Sequence, residues 1–292
     1  MKEQLSRLLP EETVVGVFTS ALNLRERALS VQNTWLRFFP NGYLVGGWYN
    51  DPALKMIALG EDVGEDYHSV HRKQFLGLVE LYRRFPDAKW FFLTGCDAYI
   101  FPRYLLDLLD SYDSTEELFV GGHCGIALVD SERIVYPSGG PGFALSGSLV
   151  KNIVDSIPAF VEAWERDQPR LSSACDVALA WLVKQERGVT VTYAEGFYHR
   201  PPYRYPENPF LDASGNEVHQ QIIGKPVAFH NLTIREMYVL DSGAWPKKPG
   251  FLDKCYDKTA IITARRMHTR SLVNRISQML FSNHGQALAP WY

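Results

Sequence analysis

One stretch, Trp90 to Phe101, constrains the fold more than any other part of the sequence. Its first residues, Trp90 to Leu93, are all apolar, and this apolar run ends before Gly95. Short apolar runs of this kind are typical of strands that are buried on both faces of a parallel sheet. Asp97 follows the run directly, where open α/β sheets bind their ligands. The stretch therefore predicts an α/β fold, and it places Asp97 where a ligand site could lie.

The residues alone leave two interpretations of Asp97. Its carboxylate could hold a divalent cation against a diphosphate, because a hard cation needs anionic oxygen ligands. It could equally be a polar turn residue that caps a helix over residues 103–110.

Strands and helices alternate in the N-terminal third of the chain, which indicates a Rossmann-like half. Its predicted strands are Thr13 to Thr19, Tyr43 to Trp48, Lys55 to Leu59 and Trp90 to Leu93, and its predicted helices are Arg25 to Phe39 and Glu65 to Phe85. Further strands are predicted at Leu118 to Gly122, Ile126 to Tyr136 (a strand or a hairpin), Val189 to Tyr193 and Val227 to His230. Further helices are predicted at Leu105 to Leu109, Leu149 to Ile157, Pro158 to Asp167 and Ser172 to Leu182.

Composition narrows the class of protein. With 292 residues the chain can form one large α/β domain or two small ones. The net charge of -3 gives no general attraction to nucleic acid. The four cysteines include no Cys-x-x-Cys pair, so their spacing does not match that of a structural zinc site.

The sequence shows neither a leader-like apolar segment near its start nor an apolar run long enough to span a membrane. As written, it predicts a soluble cytoplasmic protein with reduced thiols. The Golgi lumen is the alternative if the sequence is a trimmed part of a longer chain.

Three polar residues, Asp97, Asp176 and His230, follow apolar elements or begin a helix. A cation held by Asp97 and His230 would neutralise a leaving diphosphate as a Lewis acid. Asp176, favoured as an anion by the helix dipole, could take the proton from an attacking hydroxyl. Each residue is also typical of a structural role, Asp176 at a helix start and His230 at a strand end.

Several motifs together are similar to a known family. They are Asn33-Thr34-Trp35, Lys73, the Trp90 to Tyr99 stretch, Ser138-Gly-Gly-Pro-Gly-Phe-Ala-Leu-Ser146, Cys175-Asp176-Val177 and Ala228-Phe229-His230. In order and spacing, from about residue 13 to 240, the chain resembles the β1,3-glycosyltransferases of glycosyltransferase family 31, the Fringe and core 1 galactosyltransferase group.

The resemblance implies a GT-A fold, in which a Rossmann-like mixed central sheet is flanked by helices. It further implies a UDP-sugar donor, a Mn²⁺ or Mg²⁺ ion, a glycan or protein acceptor, and inverting transfer that forms a β1,3-linkage. On this basis we divide the chain into an N-terminal extension (1–12), a GT-A-like catalytic domain (13–255) and a C-terminal basic helix and tail (256–292).

Carried over by position, the resemblance also assigns site residues. The metal ligands are Asp97 and His230, and the base is Asp176. The donor-binding residues are Thr19, Ser20, Arg25, Lys73, Gly95 and Cys96. The loop lining the site is Gly139, Gly140, Pro141 and Gly142.

The chain departs from the family pattern in three motifs. Gly95-Cys96-Asp97 stands where the family usually has three acids, Cys175 replaces the acid before the base, and Gln32 replaces an arginine. These departures keep open a second interpretation, a degenerate relative that binds a nucleotide or glycan without turnover. Membrane association through a basic helix over residues 261–281 is a further, weaker hypothesis.

Overall fold

The computed structural model describes residues 8–66, 69–205, 210–211, 217–218 and 225–248. The described residues up to 247 belong to one compact unit. The predicted basic helix and tail, with the membrane-facing segment proposed within it, lie outside the described residues. The domain bounds therefore stay a prediction.

Fourteen strands occur in the described chain: β1 Thr13–Phe18, β2 Gly42–Gly46, β3 Met56–Ala58, β4 Trp90–Gly95, β5 Tyr99–Ile100, β6 Phe119–Gly121, β7 Cys124–Val129, β8 Glu132–Pro137, β9 Phe143–Ser146, β10 Val191–Tyr193, β11 Phe197–Tyr198, β12 Phe210–Leu211, β13 Glu217–Val218 and β14 Ala228–Phe229. Its α-helices are α1 Leu29–Asn33, α2 Val70–Arg84, α3 Pro102–Leu109, α4 Gly147–Ile153, α5 Ile157–Asp167, α6 Cys175–Arg187 and α7 Ile234–Asp241.

The central sheet has seven strands in the order β10-β6-β9-β4-β1-β2-β3. The pairs β4–β1, β1–β2, β2–β3 and β10–β6 are parallel, whereas β9 runs antiparallel to both β4 and β6. Helices flank the sheet on both faces. The predicted α/β fold with a mixed central sheet is confirmed.

Strand β4 divides the two hydrophobic cores, because successive side chains of a strand point to opposite faces. Trp90 and Phe92 pack in the core that contains α1, α3 and α7. Phe91 and Leu93 pack in the core that contains α2, α4, α5 and α6. All four side chains are buried, which explains the uninterrupted apolar run.

The predicted helix from Arg25 to Phe39 is wrong as one continuous element. A π-helical turn, Leu24–Ala28, leads into α1, and a 3-10 turn, Leu36–Phe38, follows it. The break occurs at Thr34, which has φ -103° and ψ -105° and whose hydroxyl donates to the Ser30 carbonyl at 2.7 Å. The Thr34 N–H donates to the same carbonyl at 3.0 Å, and a hydroxyl bonded to the i−4 carbonyl in this way bends a helix.

The predicted helix from Glu65 to Phe85 begins five residues late, at Val70. Glu65 lies in the preceding loop, where its carboxylate accepts a hydrogen bond from the Ala21 N–H at 2.9 Å. The apolar end of the glycine-rich stretch, Phe143–Ser146, is a central strand that the sequence analysis did not predict. The segment from Ile126 to Tyr136 is a hairpin of β7 and β8, one of the two predicted alternatives.

Two smaller sheets lie beside the central one. The first has the order β11-β14-β5 and the second the order β13-β12-β7-β8. In the first, β14 pairs antiparallel with β5, and Phe229 stands opposite Tyr99. None of the helices in the described ranges is long and apolar enough to cross a bilayer.

We predict that Trp35→Phe lowers the free energy of unfolding by about 2 kcal/mol, because it shrinks a buried side chain and leaves a carbonyl unpaired. Trp35 is fully buried, and its indole Nε1–H donates to the Ala98 carbonyl at 2.9 Å. Urea denaturation measures the loss.

Trp164→Phe is the matched control, since the Trp164 indole is also buried and donates to the Leu171 carbonyl at 3.2 Å in the other core. It should cost a similar amount. Only Trp35→Phe should shift the imidazole NMR signals of His230, because Ala98 adjoins Asp97. A Trp35→Phe variant as stable as the wild type would contradict the prediction.

Candidate active site

The Asp97 and His230 side chains meet at the end of the small β11-β14-β5 sheet. His230 follows β14 and Asp97 precedes β5, so the antiparallel pairing brings both residues to the same end. His230 Nε2 lies 3.0 Å from Asp97 Oδ1. The Leu232 N–H donates to the Asp97 carbonyl at 3.0 Å, which fixes the backbone of this corner.

Asp97 is an ionised carboxylate in this setting. Burial by itself would raise its pKa, but the hydrogen bond with His230, the electrostatic influence of that imidazole and the charge of Arg27 outweigh burial, and the pKa lies below its ordinary value. Arg27 Nη1 lies 3.5 Å from Asp97 Oδ2. The site therefore holds a partly buried carboxylate between an imidazole and a guanidinium.

The glycine loop lies directly against both the His230 and Asp176 side chains. A Cβ atom on Gly140 would stand 2.3 Å from the His230 ring, so only glycine allows this approach. The Thr94 hydroxyl donates to the Gly140 carbonyl at 2.9 Å and ties the loop to β4. The Gly139 N–H donates to Asp176 Oδ2 at 3.2 Å. Adjacent residues of one loop thus contact the predicted base and a predicted metal ligand.

Asp176 lies in the first turn of α6. Its Oδ1 accepts a hydrogen bond from the Val177 N–H at 3.0 Å. Burial raises its pKa and outweighs the backbone hydrogen bonds from Gly139 and Val177. The Gln74 amide donates to the Cys175 carbonyl at 2.8 Å and anchors the start of α6 to α2.

The predicted donor residues after β1 occupy the carboxyl end of the central sheet. Thr19 is buried, and its N–H donates to the Val45 carbonyl at 2.9 Å. The Ser20 hydroxyl accepts a hydrogen bond from the Asn23 amide at 2.9 Å. Arg25 belongs to the π-helical turn, and its side chain is outside what the structure describes.

The other predicted donor residues differ in their surroundings. Lys73 is buried, with its Nζ 3.4 Å from Glu65 Oε2. Gly95 ends β4, and a Cβ there would lie 3.2 Å from Asp97 Oδ1. Cys96 is buried, and burial, with the neighbouring Asp97 charge, raises the pKa of its thiol to about 11. Cys96 is therefore an unreactive thiol at neutral pH.

Within the same loop, Pro141 and Gly142 are buried, whereas Gly139 and Gly140 are partly exposed. Gly142 has φ +93°, and a Cβ there would lie 2.5 Å from the Phe92 ring. This pair therefore turns the chain into β9.

Sequence reasoning missed a row of imidazoles beside His230. The His199 ring lies 5.1 Å from the His230 ring and is stacked 4.8 Å from the His123 ring. His199 Nδ1 lies 3.0 Å from the Ser138 hydroxyl. A signal for His199 was present, because β11 and β14 are neighbouring parallel strands that both end in an aromatic residue followed by histidine.

Arg27 and Glu65 were also missed. Both fall inside segments that were predicted as helix, where a charged residue suggests an exposed face. No pattern in the sequence indicates that Arg27 reaches Asp97 or that Glu65 reaches the chain after β1.

A model of the family described as Fringe-like matches residues 10–228, about three quarters of the chain. The chain belongs to the Fringe-like family. Chondroitin sulfate synthase 3 of Homo sapiens is 28% identical over 159 residues, which cover 49% of this chain and 18% of that protein. The Mus musculus protein of the same name is 27% identical over 164 residues, with the same coverage. The match therefore spans less than a fifth of these relatives.

Among solved structures, the chain is similar to a glycosyltransferase involved in the glycosylation of the major capsid of PBCV-1. The TM-score is 0.46 at 11% identity, over 78% of this chain and 99% of that one. Membership of the Fringe-like family supports a glycosyltransferase as the class of this protein.

Two side chains at this corner are of the kinds that a divalent cation accepts as ligands. A carboxylate oxygen and an imidazole nitrogen converge within 3.0 Å, and Mn²⁺ accepts both kinds of ligand. His230 Nδ1 is buried and has no hydrogen-bond partner among the described residues. Within the same ranges no group of three or more His, Cys, Asp or Glu residues could hold a metal ion. Two protein ligands would leave the remaining positions to oxygens of a substrate and to water.

We predict that Gly140→Ala displaces the His230 imidazole from Asp97, because the new methyl group overlaps the ring. The overpacking should cost about 2 kcal/mol of unfolding free energy. Urea denaturation and the His230 NMR signals measure the two effects.

Gly139→Ala is the adjacent control, because a Cβ there would lie 3.5 Å from the Asp176 Cβ, an ordinary contact. It should change the unfolding free energy by less than about 0.5 kcal/mol and leave the His230 signals in place. Equal effects from the two substitutions would contradict the steric explanation.

Proposed function

We propose that this Fringe-like protein transfers a sugar from a UDP-sugar to an acceptor hydroxyl, with inversion at the anomeric carbon and formation of a β1,3-linkage. The observation that best supports the proposal is the glycine loop. Gly139 hydrogen-bonds Asp176, and Gly140 lies against His230, whose Nε2 is 3.0 Å from Asp97. A base and a candidate cation site thus stand on either side of one short loop.

Asp97 and His230 are the residues that would hold Mn²⁺ or Mg²⁺. A divalent cation bound there would supply Lewis-acid neutralisation of the leaving diphosphate. Asp97 suits this role because its pKa is held below the ordinary value, so it is an anion at neutral pH. Arg27, 3.5 Å from the same carboxylate, adds a positive charge next to the place where diphosphate charge would develop.

Asp176 is the proposed general base. Its pKa is raised by burial, so it binds a proton more tightly than an ordinary aspartate while remaining at the helix N-terminus that favours the anion. A base of raised pKa accepts a proton from a hydroxyl more readily. The hydrogen bond from Gly139 fixes the carboxylate orientation, leaving the other oxygen near the Val177 N–H.

The donor would lie along the residues after β1, Thr19 and Ser20, with Arg25 and the corner at Gly95 and Cys96 nearby. The acceptor is proposed to be a glycan. The curated relatives are named for chondroitin sulfate synthesis, which agrees with a glycan acceptor.

A second candidate function is a binding protein that has lost turnover. The residue that favours it is Gly95, because the family usually has an acid there and the chain retains only Asp97 in this motif. A Cβ at position 95 would already lie 3.2 Å from Asp97 Oδ1, so the glycine also changes the packing around the remaining acid. A screen of UDP-sugars for metal-dependent hydrolysis separates the two candidates. Binding of UDP in calorimetry without transfer or hydrolysis of any donor would identify the binding protein.

We predict that Asp97→Ala lowers Mn²⁺-dependent UDP release by about a hundredfold or more, because it removes the proposed anionic ligand of the cation. Release of UDP from the best donor, with and without chelator, measures the effect. Asp87→Ala removes an exposed acid and serves as the control. Metal-dependent release that persists in Asp97→Ala would refute the metal assignment.

We predict that Asp176→Asn lowers turnover by about 10²- to 10⁴-fold, because the amide keeps the shape but cannot accept the proton. In the wild type the rate should rise with pH as Asp176 loses its proton. Since burial raises the pKa of Asp176, this rise in rate should be centred at a pH above about 3.9, the pKa of an ordinary aspartate. The residual rate of Asp176→Asn should not show this rise with pH. Full turnover in this variant would rule out Asp176 as the base.

A further inference from the structure

A single carboxylate, that of Glu65, contacts three separate segments near the carboxyl end of the central sheet. Its Oε2 accepts the Ala21 N–H at 2.9 Å, and its Oε1 accepts the Tyr49 N–H at 3.3 Å. Lys73 Nζ lies 3.4 Å from Oε2. Ala21 follows β1, Tyr49 follows β2 and Lys73 lies in the first turn of α2. Glu65 thus bridges the segments that leave two neighbouring parallel strands.

The Glu65 loop reaches this position by backbone contact. A Cβ on Gly47 would stand 2.2 Å from the Gly64 carbonyl oxygen and 2.9 Å from Glu65 Oε1. Gly64 itself has φ +81°, a conformation that favours glycine. These two glycines allow the chain before α2 to lie on the chain after β2, which brings the carboxylate to both N–H groups.

Lys73 balances the charge of this carboxylate. Its side chain is only 3% exposed, and that of Glu65 is 16% exposed. Removing one member of such a pair leaves an uncompensated buried charge, which costs more than removing both. The pair therefore explains why a lysine is buried in the first turn of α2 without assigning it a direct contact to a ligand.

We propose that Glu65 is a positioning residue of the donor site. It holds the segment Thr19 to Asn23 at a fixed distance from the segment after β2, and Lys73 acts through Glu65. The proposal rests on the proposed function for the identity of the ligand, UDP, but the positioning itself is a property of the free protein.

The first test is hydrogen exchange in the free protein. Glu65→Ala removes both acceptors, so the Ala21 and Tyr49 N–H groups should exchange about tenfold faster. Glu65→Gln keeps the shape but replaces one acceptor oxygen by an NH₂ donor, so one of the two N–H groups should still exchange faster. This variant serves where Glu65→Ala fails to fold. Glu12→Gln combined with Lys89→Met removes an ion pair of 2.7 Å outside the site and is the matched control. It should leave both N–H groups unchanged.

The second test is binding of UDP in the presence of MnCl₂ by calorimetry. Glu65→Ala should weaken UDP binding about tenfold, and it should also lower the melting temperature more than the control does, because Lys73 is left buried without its partner. With the UDP-sugar that the wild type hydrolyses fastest, KM for the donor should rise about tenfold and kcat should change less than about twofold. A residue of merely structural importance would lower the melting temperature and the active fraction without this division between KM and kcat.

The third test concerns Lys73. Lys73→Met should weaken UDP binding, and the double variant with Glu65→Gln should recover the affinity of Glu65→Gln alone, because both charges are then removed. A double variant that binds UDP no better than Lys73→Met would show that Lys73 contacts the diphosphate itself and would overturn its assigned role.

The outcomes separate the two proposals. If the wild-type chain binds no UDP, the proposed function fails, whereas exchange at Ala21 and Tyr49 still tests Glu65. If exchange at both N–H groups is unchanged in Glu65→Ala and Glu65→Gln, the positioning role is overturned whatever the affinity for UDP.

Discussion

The contact between the glycine loop and the His230 ring is the constraint on which the site depends. No side chain fits at position 140, because its first carbon would stand 2.3 Å from the imidazole. The next residue back, Gly139, reaches Asp176 through its N–H. Since Thr94 of the central β4 strand holds the same loop by the Gly140 carbonyl, the loop cannot move without moving both side chains. The rigid sheet thereby sets the distance between a carboxylate on α6 and an imidazole after β14.

The main features of the fold follow from apolar patterning. The run from Trp90 to Leu93 predicted a strand buried on both faces, and its side chains do alternate between two cores. The spacing of apolar residues did not predict where a helix is interrupted or that β9 is a strand. The helix ends at Thr34, where the backbone leaves helical geometry, and β9 is a strand because it pairs with both β4 and β6. Both outcomes depend on contacts between residues, which the spacing of apolar residues along the sequence does not reveal.

The site residues also divide into those that the sequence identified and those that it did not. Asp97, Asp176 and His230 could be chosen from the sequence because acids and histidines at strand ends and helix starts are recognisable. Arg27 and Glu65 could not be placed, because their roles depend on where long side chains reach. His199 was overlooked although Tyr198-His199 repeats the aromatic-histidine pair Phe229-His230. Lys73 was recognised as a cation near the donor, yet only the three-dimensional structure reveals that the partly buried carboxylate of Glu65 faces it.

The antiparallel direction of β9 limits where residues can be inserted into or deleted from the sequence. Because β9 is antiparallel to its neighbours, it starts at the edge of the sheet where they finish, only a few residues after Gly139. Phe143 and Leu145 face one core and Ala144 faces the other. Inserting or deleting one residue between Gly140 and Phe143 would turn every side chain of β9 to the opposite face. The length of this connection is therefore fixed by the core, whereas the β7–β8 tip at Asp130 and Ser131 is exposed and contributes no side chain to either core.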